Sequence, residues 1–446
     1  MTNAEKHYEK MTRTPVSKLI LQLGIPTTIS MLITSIYNMA DTYFVGTQGE
    51  SAQAATGVLF TLQAIIQGLA FMLGHGSGSY ISKYLAEKDT EKASRYISTA
   101  FFTGIVLGLT ILTMGLTFLD PLVRLLGSTE TILPHAKDYG FWILLACPFI
   151  MCSLILNNAL RYEGKAFYAM IALTSGGLLN ILGDYILVYR FKMGVYGAGL
   201  ATAVSQAIGF MLLLILFFRS AQSRISIKLV SRDPKLYLSI FRVGLPSLIR
   251  QSMNAFTVGI LNNLTKPFGD AAIAAMSIVN RMSMFLMCLG LGIGQGFQPV
   301  AAFNYQAKKY DRVKKGLAFT ICFCLLFVGG LSMFSFCFAE NVISLFQKHS
   351  EVIRIGSMAL RFTACGLLFS GLSVPVNMLY QSIQKPAISS VLSLIRSGGI
   401  TIPLLLIAVP RIGILGIQIA QPAADIVAGV VSIPFIVRFL RQKITE

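Results

Sequence analysis

Apolar stretches of twenty residues or more recur from residue 17 to residue 437, parted by short polar turns. A helix rising about 1.5 Å per residue needs about twenty such residues to cross the hydrocarbon of a bilayer. The pattern predicts twelve spans, at 17–45, 52–82, 94–118, 136–160, 167–190, 195–218, 236–264, 271–303, 316–339, 355–382, 387–409 and 413–437. Several exceed the minimum, which predicts tilt or extension beyond the hydrocarbon.

The pattern also repeats. Residues 24–95 align without a gap on 244–315: Gly24-Ile25-Pro26 answers to Gly244-Leu245-Pro246, Gly49-Glu50 to Gly269-Asp270, and Gly74-His75-Gly76 to Gly294-Gln295-Gly296. The same offset pairs Asp120 with Glu340, Asn157 with Asn377 and Lys165 with Lys385, and it slips by one where Gly194-Val195-Tyr196-Gly197 meets Gly413-Ile414-Leu415-Gly416. Two related halves are expected, 1–218 and 236–446, joined by a linker at 219–235. Each holds six spans. An even number returns the chain to its starting side, so the halves are parallel repeats about an axis along the membrane normal, a common plan for a secondary transporter.

Composition agrees with an all-α integral membrane protein. Hydrophobic residues make up 54% of the 446 and charged residues 13%, where a soluble protein carries roughly 25% charged. The net charge of +18 does not mark a nucleic-acid binder, because the basic residues lie in short loops between spans rather than on one soluble face. Twenty-five Lys and Arg fall in the tails and loops on the N-terminal side and eight on the other, which predicts both termini in the cytoplasm. The linker, with Arg219, Arg224, Lys228, Arg232 and Lys235, reads as a solvated cytoplasmic segment near anionic lipid. The first sixteen residues are polar and the first span is too long for a leader peptide, so no cleaved signal is expected. The seven cysteines lie in apolar spans without ligand spacing, which makes them small core residues rather than disulfides or a metal site. No phosphate-binding loop, zinc-protease motif, nucleophile elbow or potassium-channel filter occurs, so neither an enzyme nor a cofactor is expected.

Three of the nineteen acidic residues lie well inside spans: Asp41, Asp184 and Asp425. A carboxylate at such a depth costs roughly 2.5–3.5 kcal/mol on insertion scales and marks a functional site by default. Asp41 lies about four residues, roughly 6 Å, from the outer end of its span. Asp184 lies at a similar depth in the fifth span, with Asn180 one turn before it on the same face, and Thr202 enters at that depth from the sixth. Two carboxylates, an amide and a hydroxyl from three helices suit a hard cation such as Na⁺, and equally a shared proton; capping of helix ends is the plainer alternative. The second half has Leu261, Ile400, Leu404 and Gln421 at the matching positions, so ion coupling is expected in the first half only. Asp425 stands in a polar stripe with Gln418 and Gln421 and is expected to pair with an arginine or to contact a cationic substrate. Four arginines lie within spans of the second half, Arg250, Arg281, Arg361 and Arg396; Arg250 and Arg396 lie deep enough to need partners, a carboxylate, backbone carbonyls or an anion. Pro26 and Pro246 predict kinks early in their spans, and occupancy at Asp41 is expected to bias the bend at Pro26. Gly74, Gly76 and Gly78 permit close helix packing. Eighteen Met and thirty Phe residues suit a flexible cavity for bulky organic cations.

These residues carry a resemblance. Gly24-Ile25-Pro26, the segment Asn38-Met39-Ala40-Asp41-Thr42-Tyr43-Phe44-Val45-Gly46, Leu160-Arg161-Tyr162-Glu163-Gly164-Lys165, the pair Asn180 and Asp184, and Gly197-Ala198-Gly199-Leu200-Ala201-Thr202 resemble the multidrug and toxic compound extrusion (MATE) transporters over nearly the whole chain, most closely the prokaryotic branch. The resemblance implies two six-helix lobes forming a V around a central cleft. It implies a Na⁺ or H⁺ site at Asp41, Asn180, Asp184 and Thr202, and cation-driven export of lipophilic, often cationic drugs. The expected setting is a prokaryotic inner membrane, with the chain a monomer among lipids. One departure stands out: where another branch carries an acidic residue in the seventh span, this chain has Asn254. A lipid-linked saccharide flippase of the wider superfamily and an ion channel or receptor are the alternatives.

Overall fold

A computed structural model describes residues 3–442, and every regular element among them is helical. The first half comprises α1 (Asn3–Arg13), α2 (Val16–Gly46), α3 (Glu50–Ala86), α4 (Thr90–Thr117), α5 (Leu119–Leu125), α6 (Leu133–Tyr162), α7 (Ala166–Asp184), which runs on as one wide π-turn at Tyr185–Arg190, and α8 (Gly194–Ser220). The second comprises α9 (Pro234–Thr265), α10 (Asp270–Gln306), α11 (Tyr310–Phe323), α12 (Gly329–Cys337), α13 (Ala339–Ser344), α14 (Ser350–Ser382), α15 (Pro386–Leu394), α16 (Thr401–Ile412) and α17 (Ile414–Arg441), with further π-turns at Cys324–Val328 and Ile395–Gly399. Among the described residues eleven helices are long and apolar enough to cross a membrane. The twelfth expected span is α9. Its 32 residues suffice in length, but Lys235, Arg242 and Arg250 dilute its apolar character.

The chain condenses into two compact units, residues up to Arg13 with 29–248, and 14–28 with 249–446. The change of unit falls inside two long helices. It comes after Thr28 in α2 and after Leu248 in α9, in each case two residues beyond the proline of the Gly-x-Pro motif.

Glycines explain the partition. In the first unit a Cβ on Gly244 would collide with the Met72 carbonyl and one on Gly76 with the Ile240 carbonyl, so the opening turns of α9 lie backbone to backbone on α3. In the second unit a Cβ on Gly296 would meet the backbone of Gly24, and one on Gly292 would meet Thr28, so the opening turns of α2 lie equally close on α10. Only glycine permits that approach.

The linker keeps its basic side chains, Arg219, Arg224, Lys228, Arg232 and Lys235, exposed, while its backbone is tied down. The Arg224 amide donates to Ser94 Oγ at 2.8 Å, Ser98 Oγ donates to the Arg224 carbonyl at 3.1 Å, and the amides of Ser226 and Ser231 donate to Ser98 Oγ and Thr99 Oγ1 at 3.1 and 3.0 Å. The fully buried Glu163 accepts from the Gln222 amide at 2.6 Å, the Ser223 amide at 3.1 Å and the Ser223 hydroxyl. A segment without secondary structure must satisfy its backbone through side chains or water, and here hydroxyls on α4 do so.

Candidate functional site

The site grows out of the polar residues on α2, α6, α7 and α8 of the first unit. Asp41 is 8% exposed. Tyr139 of α6 donates its hydroxyl to Asp41 Oδ2 at 2.9 Å, which holds the carboxylate in one orientation. Asp184 closes α7 where the helix widens into its π-turn, an irregularity common at functional sites. It is fully buried. The two carboxylates lie near enough to feel each other's charge. Asn180, one turn before Asp184, donates Nδ2 to Thr202 Oγ1 at 3.1 Å.

What remains is a set of oxygens. Asp41 Oδ1, Asn180 Oδ1 and both oxygens of Asp184 are buried with no donor among the described residues. A buried acceptor left unmet costs about 1–3 kcal/mol, and more if charged. Four of them on two helices, α2 and α7, therefore call for a positive group. Oxygen donors of this kind bind hard cations, and two carboxylates in low dielectric can instead hold a proton between them. The structure thus brings Asn180 and Thr202 into contact and puts Asp41 and Asp184 within electrostatic reach. It adds Tyr139, which sequence reading passed over because a tyrosine near the end of a span is ordinary at a membrane interface.

In the second unit the counterparts of the two carboxylates sit in hydrocarbon, while Gln421, the counterpart of Thr202, accepts from Thr401 Oγ1 at 3.2 Å. Leu261 is buried in an apolar cluster with Ala272, Ala275 and Ile417, and Leu404 packs against it. Asp425 lies elsewhere. Arg396 Nε donates to Asp425 Oδ1 at 3.0 Å and its Nη2 to Met287 Sδ at 3.2 Å, and Gln421 Nε2 reaches Asp425 Oδ2 at 3.5 Å. The π-turn at 395–399 frees backbone carbonyls, and two find donors: Thr257 Oγ1 on Ser397 O at 2.9 Å and Gln421 Nε2 on Arg396 O at 3.5 Å. Gln418 donates to the Ile355 carbonyl at 3.0 Å. Arg361 pairs with Glu340 at 3.1 Å in an exposed position, and Arg281 is exposed. Pro26 lies inside α2. Among the described residues all seven cysteines are free, three of them exposed, so core filling does not account for Cys322, Cys337 and Cys365. No group of three or more His, Cys, Asp or Glu gathers as a metal site among the described residues.

Known proteins share this plan. The MatE family pattern matches residues 26–186 and again 244–407, once in each half. The multidrug export protein MepA of Staphylococcus aureus strain MSSA476 is 27% identical over 443 residues, covering 97% of this chain and 96% of its own length. The crystal structure of a MATE in complex with MaL6 superposes with a TM-score of 0.90 at 25% identity, covering 99% of this chain and 100% of that one. The outward-facing conformation of a multidrug resistance MATE family transporter of the MOP superfamily superposes with the same score, identity and coverage. The duplicated helical fold and the family pattern in both halves lead to one conclusion: this multi-pass membrane protein belongs to the MatE family.

Proposed function

We propose that this chain is a secondary antiporter, exporting lipophilic organic cations in exchange for Na⁺ or H⁺ bound at Asp41, Asn180, Asp184 and Thr202. One observation carries the reading: four buried acceptor oxygens, on Asp41, Asn180 and Asp184, have no donor among the described residues, and a cation would neutralise them. The kinship with proteins named for multidrug export supports the substrate class. The site is completed by residues of a single unit, which supports action as a monomer, and the loop charges support both termini in the cytoplasm. Exchange requires that the ion bind one conformation better than the other. Asp41 lies on α2, the helix that carries Pro26 and changes unit after Thr28, so ion occupancy and the bend of α2 act on one element.

The test is ethidium efflux from vesicles holding the full-length protein, with a Na⁺ gradient or a pH gradient imposed separately. Asp41→Asn and Asp184→Asn should each abolish gradient-driven efflux, and the gradient that drives the wild type names the ion. Unchanged transport in both variants would overturn the assignment. A conductance that ignores the gradient would indicate a channel instead.

A further inference from the structure

Pro15, Val16 and Ser17, where α2 begins, and Arg312, Lys315 and Phe319 on α11 line a groove of about 330 Å³. All six residues belong to the second unit. The two helices are held together at this point. Arg312 donates Nη2 to the Thr14 carbonyl at 2.6 Å and Nε to Asn304 Oδ1 at 2.9 Å. A Cβ on Gly316 would stand 3.2 Å from Val16 Cγ1, so Val16 packs closely on α11. The groove has a polar end and an apolar end. The apolar span predicted at 316–339 puts Phe319 just inside the hydrocarbon and Arg312 and Lys315 just outside it. Positive charge gathers around the polar end. Residues 308–315 hold Lys308, Lys309, Arg312, Lys314 and Lys315 against one carboxylate, Asp311. Lys314 Nζ donates to the Gln442 carbonyl at 2.9 Å, which brings up the last turn of α17 with Arg438 and Arg441. Among the described residues no carboxylate lines the groove, and Lys315 is exposed and forms no ion pair.

We infer that this groove binds one anionic phospholipid of the surrounding bilayer, its phosphate against Lys315 and the upper part of an acyl chain along Phe319. Basic residues at a membrane surface attract anionic lipid one by one and without a fixed geometry. Here a recess of ligand size adds a fixed place. Lys315 supplies a point charge that can follow the phosphate, Arg312 adds its charge from a position set by its two bonds, and the Ser17 hydroxyl offers a donor. Val16 and Phe319 cover apolar surface at the other end. A free phosphate gains nothing from that apolar wall, which favours the lipid as occupant. A lipid seated there touches the first turns of both α2 and α11, and so reinforces the junction that Arg312 makes with Thr14. The inference rests on the membrane setting and not on the export activity or its coupling ion.

The test is binding of dioleoylphosphatidylglycerol to the full-length protein in detergent, counted by native mass spectrometry and followed by the thermal unfolding midpoint. Dioleoylphosphatidylcholine is the zwitterionic control. One equivalent of the anionic lipid should bind in preference and raise the midpoint. Lys315→Gln should weaken that binding about fivefold, the effect of one basic residue at an anionic surface, and Lys315→Arg should keep it. Phe319→Ala should weaken it as well, through the lost apolar wall. Lys235→Gln, which removes an exposed charge from the first unit, should leave it unchanged. Equal binding of the two lipids, or equal losses in Lys315→Gln and Lys235→Gln, would mean diffuse attraction to a basic surface and would overturn the groove. A rise in midpoint with inorganic phosphate alone, undiminished in Phe319→Ala, would make the occupant a free anion and overturn the lipid. Ethidium efflux is measured apart from binding, so failure of the export activity and failure of the lipid site are told apart.

Discussion

At the scale of single residues, chemistry follows from which acceptors go unmet. Asp184 keeps two buried oxygens without donors among the described residues, while Leu404, its counterpart, packs against an apolar core. That contrast was legible in the sequence, because a carboxylate within a span is costly enough to mark itself. Tyr139 was not legible, since only the packing of α6 against α2 reveals that its hydroxyl meets Asp41. A hydrogen bond to a charged group contributes about 1.5–3 kcal/mol. Tyr139→Phe should therefore slow efflux about tenfold at sub-saturating ion while the protein still folds, as measured by initial rates against ion concentration. Equal rates would show that the tyrosine does not position the carboxylate.

At the scale of helices, close approach and docking decide the outcome. Gly76→Ala places a methyl against the Ile240 carbonyl and should cost about 1–3 kcal/mol by overpacking, seen as a lower unfolding midpoint; Gly57→Ala, where nothing lies within 4 Å, should leave the midpoint in place. The amphipathic helix α1 behaves differently. Burial, with help from Lys165 and Lys10, holds the His7 imidazole down to about 4 from an ordinary 6.5. The undocked helix binds the proton more readily, so docking loses stability as pH falls through 6.5 toward 4, by about 3 kcal/mol in full. Hydrogen exchange in α1, corrected for intrinsic rates, should accelerate over that window, and His7→Gln should flatten the response. Periodicity predicted the long helices well, but not the three π-turns. An extra residue in a turn leaves no mark in an apolar pattern.

At the scale of the whole molecule, the linker shows side chains and backbone behaving differently. Its basic side chains stay exposed, yet the Arg224 backbone is bonded on both sides to Ser94 and Ser98. Ser94→Ala with Ser98→Ala should raise tryptic cleavage after Arg224 by roughly tenfold, the effect of losing one or two net hydrogen bonds; an unchanged rate would mean that Glu163 and Thr99 suffice to hold the segment. The sequence by itself determined the membrane class, the duplication and eleven of the twelve spans among the described residues, and it marked Asp41 and Asp184 as costly, because burying charge in lipid and crossing a bilayer impose costs that each stretch of chain must meet on its own. Only the tertiary structure decided where each Gly-x-Pro helix changes unit, what holds the linker backbone and which oxygens lack donors among the described residues. Those depend on which surfaces meet across long separations in the chain, and a span's apolar pattern is the same whichever neighbour it packs against.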